Sequence, residues 1–197
     1  MDARTIATYD AVADVYDERT KIFWDIFPKT FLEEFVRTTG KKIVDVGSGP
    51  GRDGLLLQQY GKEVIGIDAS QVMVDMSVSR GLSSVVGDFL HMPFEKESFD
   101  GVWAYTSLLH VSKNEIGAAL NEIARVLVAD GILGLGMIEG EGEMYRDNLT
   151  GERERWFSYY TKEELEKLLK EHNFKVLFFE KITPGSRNYL HVIAQKI

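Results

Sequence analysis

The chain has 197 residues, of which 44% are hydrophobic and 27% are charged, a composition typical of one globular domain with its own core. Its formal net charge is −8 with no block of lysines and arginines, which disfavours nucleic acid as the main partner because such binding neutralises phosphates. The sequence has no cysteine, which excludes disulfides. It has no apolar run long enough for a membrane span and no signal-peptide pattern at its start. These observations predict a cytoplasmic protein without a membrane partner.

The first part of the chain, residues 2–39, has a helical pattern. Gly40 is the expected helix stop, and Pro28 is expected to divide the region into two or three helices. The residues that share one helical face are Ile6, Tyr9, Ala13 and Tyr16. We expect a single domain, in which residues 1–39 form a helical lid and residues 40–197 form the core.

After residue 40, short apolar runs alternate with helical patterns. The strand-like runs, in chain order, are KIVDV, EVIGID, SSVVG, FDGVWAY and GILGLGMI. The helical stretches between them are RDGLLLQQY, SQVMVDMSVSR and KNEIGAALNEIARVL. The second of these helices is expected to begin at Ser70 and to end at Gly81. This alternation predicts a parallel sheet that is covered by helices on both faces.

The end of the chain has a different pattern. The stretch TKEELEKLLKEHNF is predicted to be a helix with a capping box from Thr161 to Glu164. Two strand-like runs, KVLFFEKI and YLHVIAQKI, follow it, and the TPGSR connection between them is too short for a crossover helix. They should therefore be antiparallel neighbours. The predicted fold is α/β, a Rossmann-like three-layer sandwich with a mostly parallel seven-stranded sheet, one antiparallel strand and preceding N-terminal helices.

The stretch IVDVGSGPGRDG contains the first predicted strand and a glycine-rich loop. Ligands of an open α/β sheet bind beyond the carboxyl ends of its strands, which makes this loop a natural site. One glycine spacing, Gly49, Gly51 and Gly54, fits the dinucleotide fingerprint but places Pro50 inside the tight turn. The other spacing begins at Gly47, directly at the end of the strand, and is favoured for that reason.

Asp68 ends the second predicted strand and follows Gly47 by 68 − 47 = 21 residues. A carboxylate at this place can accept hydrogen bonds from both hydroxyl groups of a ribose. The alternative is a surface aspartate that caps the helix at Ser70. Ribose binding is favoured, although it does not identify the rest of the ligand.

A third landmark, Gly87-Asp88-Phe89, follows the third predicted strand. A carboxylate and a backbone N–H at this place can recognise the edge of an adenine ring. In this chain order, five stretches spanning residues 42–137 resemble a class I S-adenosylmethionine-dependent methyltransferase. These stretches are VDVGSGPGRDG, VIGIDAS, VVGDFLHMPF, FDGVWAYTSLLHV and LNEIARVLVADGILGLGM.

The resemblance implies S-adenosylmethionine as the cofactor and S-adenosylhomocysteine as the product. It implies that the glycine loop approaches the methionine part, that Asp45 lies near the ammonium group and that Asp68 holds the ribose. Asp88 would bind the adenine amino group, next to the backbone amide of Phe89. The residues implied to bind the cofactor are Tyr16, Asp45, Gly47, Ser48, Gly49, Gly51, Asp68, Ala69, Gly87, Asp88, Phe89, Ala104 and Tyr105.

Methyl transfer needs a near-attack geometry and exclusion of water, and it needs a general base only if the acceptor must lose a proton. His110 is the candidate base, although a histidine at this place is often structural in relatives. Tyr16 resembles a tyrosine that reaches the cofactor carboxylate, and the alternative is core packing beside Tyr9. His172 and His191 are expected to be packing or surface residues. Because no cluster has metal-ligand spacing, we expect no metal.

The acceptor side depends on the stretch EGEGEMYRDNLTGERERWFSYY, which interrupts the sheet and is rich in arginines and aromatics. Such a composition suits an anionic or planar small molecule, and the alternative is a solvated loop. The residues expected to contact the acceptor are Tyr9, Arg153, Tyr159 and Tyr160. After the fourth predicted strand the chain reads WAYTS, without the proline pair found in methylases of DNA adenine and glutamine. The predicted acceptor is therefore a small molecule.

Two other functions remain as alternatives at this point. A protein that binds S-adenosylmethionine without activity of its own is disfavoured by the retained Asp45, Asp68 and Asp88. A dinucleotide-dependent oxidoreductase is disfavoured by the glycine spacing and because no second domain is present to bring a substrate to a nicotinamide. The sequence leaves open the oligomeric state, the identity of the acceptor and the atom that is methylated.

Overall fold

The structure is a computed structural model that describes residues 2–146, 151 and 154–197. The α-helices of these residues are α1 (Ala3–Thr20), α2 (Phe23–Ile26), α3 (Thr30–Thr38), α4 (Arg52–Gln59), α5 (Gln71–Ser79), α6 (Ile116–Val126) and α7 (Lys162–Glu171), and a short 3-10 helix covers Leu108–His110. The strands are β1 (Lys42–Val46), β2 (Glu63–Asp68), β3 (Ser83–Val86), β4 (Phe99–Tyr105), β5 (Leu127–Ile138), β6 (Glu143–Arg146), β7 (Arg155–Ser158), β8 (Phe174–Ile182) and β9 (Tyr189–Lys196).

The main sheet has seven strands in the order β3-β2-β1-β4-β5-β9-β8. Strand β9 is antiparallel to both of its neighbours, β5 and β8, whereas β1 to β5 are mutually parallel. This confirms the predicted mostly parallel sheet with one antiparallel strand. The order reverses direction between β1 and β4, so the loops that follow these strands diverge and leave a crevice at the carboxyl edge of the sheet.

The helices cover both faces of the sheet because each presents an apolar stripe to it. On one face, α3 buries Phe31, Leu32 and Phe35 in a core that also contains Trp103. The larger core on the other face contains the apolar stripe of α6 and the inward residues of α7. The break around Pro28 lies between α2 and α3, and it confirms the expected division of the N-terminal region.

The helix ends agree with their sequence signals. Ser70 caps α5 by accepting a hydrogen bond from Met73 N, at 3.1 Å. Thr161 and Glu164 form the predicted capping box of α7. Gly81 follows α5 with φ of +98°, the left-handed conformation in which glycine carries no steric cost.

The segment between β5 and α7 is not a solvated loop, and its role in acceptor binding stays a prediction. Its described residues form an antiparallel pair, in which β6 lies beside β7. Thr5 and Thr8 of α1 fix this pair, because Trp156 N donates to Thr5 Oγ1 at 2.8 Å and Thr8 Oγ1 donates to the carbonyl oxygen of Glu154 at 2.9 Å. Each strand has only four residues, which is too short for the alternation of a strand to stand out in the sequence.

The capping box gives a direct test of the α7 assignment. We expect Thr161→Ala to lower the free energy of unfolding by about 1 kcal/mol, because the substitution removes the oxygen that accepts Glu164 N. Thr161→Ser retains that oxygen and is the matched control, with stability close to wild type. Urea denaturation measures both. Equal losses in the two variants would mean that the methyl group of Thr161, not the cap, stabilises this end of the helix.

Candidate active site

A cavity of about 380 Å³ lies at the carboxyl edge of the sheet, where the strand order reverses. The glycine loop and the end of β4 form its floor, α1 and α2 cover it, and β7 and β9 close its far side. A smaller cavity of about 50 Å³ continues from it beneath α1 toward Asp68 and Met73. Because the two cavities share lining residues, they form one ligand site with a large part and a small part.

The glycine loop brings backbone close to this cavity. Gly47 has φ of +72°, and a Cβ there would lie 2.3 Å from Ser107 Cβ, so no side chain fits. Gly49 has φ of +51°, and a Cβ there would meet no atom within 4 Å. Because Gly49 lines the cavity, that open space belongs to the ligand site. Gly51 instead faces α5, where its Cβ would lie 2.7 Å from Ser77 Oγ.

Two buried carboxylates lie beneath the loop. Asp45, at 2% exposure, has an oxygen, Oδ2, that makes no hydrogen bond within the described part of the chain. Burial, with the nearby Asp53 carboxylate, raises the pKa of Asp45 well above its ordinary value. Asp53 accepts hydrogen bonds from the indoles of Trp24, at 2.7 Å, and Trp103, at 2.8 Å. Burial also raises the pKa of Asp53 in spite of these donors.

Asp68 lies at the end of β2, on the wall of the smaller cavity. Its carboxylate accepts Gly49 N through Oδ2 and Ser70 N through Oδ1, both at 2.9 Å. Burial raises its pKa, and these backbone hydrogen bonds oppose that shift. The same side chain therefore orients the glycine loop, supports the start of α5 and faces the cavity, so the two sequence interpretations are compatible.

The residues assigned to adenine are arranged less directly. Phe89 lines the smaller cavity and is almost fully buried. Asp88 accepts a hydrogen bond from Leu90 N at 3.0 Å, and Gly87 N donates to the carbonyl oxygen of Asp68 at 2.9 Å. Several of the described residues predicted to bind the cofactor line neither cavity, among them Ala69, Gly87, Asp88 and Ala104. The side chain of Ala104 lies in the core on the sheet face opposite to that of Trp103 and Tyr105.

Two tyrosines from different elements line both parts of the cavity. Tyr16 lines both of its parts, and its ring contacts that of Tyr9 edge-to-face at 5.3 Å between centroids. Both sequence interpretations of Tyr16 are thus compatible with its position. Tyr105 also lines both parts, and its hydroxyl is 2.8 Å from Nε2 of the buried His191. The expectation that His191 packs inside the protein is confirmed.

His110 lies in the cavity wall with both ring nitrogens engaged. Its Nδ1 is 2.5 Å from the carbonyl oxygen of Trp156, so this nitrogen carries the proton and donates it. Nε2 therefore accepts from the hydroxyl of Tyr9, at 2.8 Å, and that hydroxyl also accepts from Arg155 at 2.7 Å. Burial, with a smaller effect of Arg155, lowers the pKa of His110 to about 3. The imidazole is neutral at physiological pH.

Of the residues expected to contact the acceptor, Tyr9 lines the cavity. Tyr159 and Tyr160 are buried outside its walls, where Arg146 donates to the hydroxyl of Tyr159 and Lys113 lies over the ring of Tyr160. Arg153 lies outside the described residues.

Sequence analysis missed other residues of the wall. They include Phe23 and Trp24 of α2, Phe27 just after it, Arg155 and Phe157 of β7, Arg187 in the connection before β9, and Tyr189 at its start. The inward alternation of Arg155 and Phe157 was the one available signal, and it is only one period long.

Comparison with known proteins agrees with this architecture. A family model described as a methyltransferase domain matches residues 44–135. A probable tRNA methyltransferase 9B from Bos taurus is 33% identical over 129 residues, covering 62% of this chain and 28% of that protein. The chain spans less than half the length of the first curated relatives that it matches.

Two solved structures share the fold. A SAM-dependent methyltransferase from Methanosarcina mazei has a TM-score of 0.75 at 23% identity, covering 85% of this chain and 97% of the other. A Burkholderia thailandensis 1,6-didemethyltoxoflavin-N1-methyltransferase, solved with 1,6-didemethyltoxoflavin and S-adenosylhomocysteine, has a TM-score of 0.73 at 20% identity, covering 97% of this chain and 87% of the other.

The fold and the family match agree. Residues 44–135 match a methyltransferase domain, and the chain shares the fold of a SAM-dependent methyltransferase, which confirms the resemblance found in the sequence. The site also fits the cofactor of this family. Asp45 offers a buried oxygen without a partner in the described chain, suited to an ammonium group, and the space at Gly49 admits a ligand close to the backbone. Among the described residues, no helix is long and apolar enough to cross a membrane.

Asp45 should oppose folding and favour binding. Because burial raises its pKa above the unfolded value of about 3.9, the wild type loses stability as the pH rises from about 4 through the folded pKa. We expect Asp45→Asn to be more stable than wild type at pH 7 without ligand, and the two to converge near pH 4. In urea denaturation, a variant that is less stable than wild type at pH 7 would contradict this account.

Binding should change in the opposite direction. We expect Asp45→Asn to weaken S-adenosylmethionine binding by roughly tenfold or more, because the amide cannot balance the ammonium charge. Isothermal calorimetry measures this, and Asp75→Asn, at an exposed carboxylate of α5, is the matched control. Unchanged affinity in Asp45→Asn would place the ammonium group elsewhere.

Proposed function

We propose that the protein transfers a methyl group from S-adenosylmethionine to a small-molecule acceptor. The observation that carries this proposal is the division of one cavity into two chemically different parts. The part over β1 and β2 has the glycine loop and the carboxylates of Asp45, Asp53 and Asp68. The part toward β9 has aromatic side chains and arginines.

The acidic part suits a cofactor that carries two positive charges, on its ammonium group and its sulfur. When bound, S-adenosylmethionine supplies an activated methyl group on that sulfur and leaves as S-adenosylhomocysteine. Asp45 would hold the ammonium group, and Asp68 would accept the ribose hydroxyls while it keeps its hydrogen bond to Gly49 N. Phe89 would lie against the adenine in the smaller cavity.

The chain's second task is to exclude water, and α1 and α2 perform it. Asp17 of α1 forms ion pairs with Arg52, at 2.6 Å, and with Arg80, at 2.6 Å. Asp10 of the same helix accepts a hydrogen bond from Ser70 Oγ at 2.5 Å. These contacts hold α1 over the cofactor side, so a reacting pair of molecules beneath it would be shielded from solvent.

Whether His110 is a general base stays a prediction. Its lone pair at Nε2 already accepts the hydroxyl proton of Tyr9. An acceptor that gives up a proton would have to displace Tyr9 from Nε2 or pass its proton through the Tyr9 hydroxyl. The lowered pKa makes His110 a weak base, so we propose that it mainly positions Tyr9 and β7 at the cavity.

The size and charge of the site support a small molecule as the acceptor. The cavity lies between α1, α2 and β7, an arrangement that favours a small acceptor over a folded macromolecule. The net charge of −8 gives RNA no general attraction, although the bovine relative is named a tRNA methyltransferase. The Burkholderia structure shows the same fold with a small acceptor.

Ligand identity and turnover test the proposal together. S-adenosylmethionine and S-adenosylhomocysteine should raise the melting temperature, because they bind the folded state, and nicotinamide dinucleotides should not. Release of S-adenosylhomocysteine should depend on addition of a metabolite panel and not of bulk tRNA. Turnover with tRNA alone would refute the small-molecule acceptor. Binding without turnover on either would support the alternative of a cofactor-binding protein.

Gly49 and Gly61 form a matched pair for locating the cofactor. Both have positive φ, +51° and +79°, and neither would bring a Cβ within 4 Å of another atom. Valine should therefore strain the backbone at both positions, but only at Gly49 would it project into the cavity. We expect Gly49→Val to abolish detectable S-adenosylmethionine binding in calorimetry and Gly61→Val to bind normally. Normal binding by folded Gly49→Val would show that the loop only forms a turn.

A further inference from the structure

We propose that the methyl acceptor has a planar apolar body with an anionic group, and that Arg187 binds that group. This inference rests on the proposed methyltransferase function and specifies its acceptor. Arg187 lies in the short connection between β8 and β9 and lines the same cavity as the glycine loop. It is outside the β6–β7 segment to which the sequence assigned acceptor binding.

The position of Arg187 along the sheet separates it from the cofactor. Tyr189, two residues later, pairs with Ile138 at the carboxyl end of β5. In the sheet, β9 is three strands away from β1, which ends at the glycine loop. At about 4.8 Å per strand, this is roughly 14 Å along the carboxyl edge. Asp68 is on β2, on the other side of β1, so the cofactor residues and Arg187 occupy opposite ends of the cavity.

Between these ends, the cavity wall is aromatic. The rings of Phe23 and Phe27 stack with 3.8 Å between centroids, and Phe27 contacts Tyr189 edge-to-face at 5.0 Å. Phe23 and Trp24 also contact the ring of Tyr105, at 5.4 and 5.3 Å. Flat, weakly polar surfaces of this kind favour a flat, apolar ligand, because aromatic rings prefer stacked or edge-to-face partners.

Arg187 places a positive charge at the β9 end of this aromatic wall. Arg187 is half-buried and lies near Tyr189, and the described residues provide no carboxylate that forms an ion pair with it. By contrast, Arg52 in the same cavity is paired with Asp17. A guanidinium at the edge of a partly dry cavity binds a carboxylate or phosphate with two parallel hydrogen bonds.

Arg155 is a second arginine of the cavity wall and lies beside Tyr9. Its guanidinium is 5.0 Å from the ring centroid of Tyr9 and 5.1 Å from that of Phe157. Tyr9 also lines the smaller cavity with Asp68, whereas Arg187 lies in the connection between β8 and β9. The acceptor would therefore lie with its anionic group toward β9 and its opposite end, which carries the reacting atom, toward the glycine loop.

The test uses a matched pair of planar probes, 6-hydroxy-2-naphthoate and its uncharged carboxamide. Both are titrated by calorimetry into protein saturated with S-adenosylhomocysteine. We expect the naphthoate to bind at least tenfold more tightly than the carboxamide. Arg187→Gln should reduce that preference to less than threefold, and Arg187→Lys should retain part of it. The control is Arg37→Gln, which changes an exposed arginine of α3 that is paired with Glu34.

The outcomes separate this inference from the function on which it rests. Failure of wild-type protein to bind S-adenosylhomocysteine would contradict the methyltransferase proposal itself. Normal S-adenosylhomocysteine binding would leave that proposal intact. Three results would then refute the anionic acceptor. They are no binding of the naphthoate, equal affinities for the two probes, or a preference for the naphthoate that survives in Arg187→Gln. Weakened S-adenosylhomocysteine binding in Arg187→Gln would assign the arginine to the cofactor and would overturn the inference as well.

Discussion

The carboxylate of Asp45 is the constraint around which the site is built. It is buried at the end of a central strand, one of its oxygens has no partner in the described chain, and Asp53 adds a second negative charge nearby. Such an arrangement opposes folding, because a buried carboxylate is stable only when it is paired or neutral. The cationic cofactor proposed for this site would remove the conflict. The fold therefore retains a local instability that such a ligand would relieve.

Several elements are positioned by the hydrogen bonds that the neighbouring Asp53 carboxylate accepts. Asp53 receives the indole N–H groups of Trp24 and Trp103, which join α2, α4 and β4 through one carboxylate. The contact fixes α2, a helix of only four residues that could not be stable alone. Once α2 is fixed, Phe23 and Phe27 take their places in the aromatic wall. The acidic end of the cavity thus helps to position the apolar end.

The sequence predicted the parts of the structure that local patterns specify. The strands of the main sheet, the capping box at Thr161, the turn at Gly81 and the loop at Gly47 all have signals within a few residues, and the structure contains them. The family resemblance depended on the same short-range features. Gly49 could be chosen as a ligand contact because glycine is needed where backbone and ligand approach closely.

The missed features depend on contacts between distant parts of the chain. Arg187 reaches the cavity because β9 returns beside β5, and nothing in TPGSR itself indicates this. The placement of the proton on the ring of His110 depends on Tyr9, 101 residues away, and on Trp156, 46 residues away. The β6–β7 pair is stabilised by α1 through Thr5 and by its own short ladder. Such contacts form only in the tertiary fold, so no short stretch of the sequence indicates them.

The attachment of α1 has a kinetic consequence. Since Asp17 holds this helix to Arg52 and Arg80, a ligand over which α1 closes, as proposed, would leave only when those ion pairs separate. The three side chains are partly exposed, so dissolved ions weaken their attraction. Residence time would then be set by the opening of a helix as well as by the ligand's own contacts, and ionic strength would change it. Such a lid would lengthen the stay of a ligand without raising its affinity to the same extent, because closure slows entry and exit together.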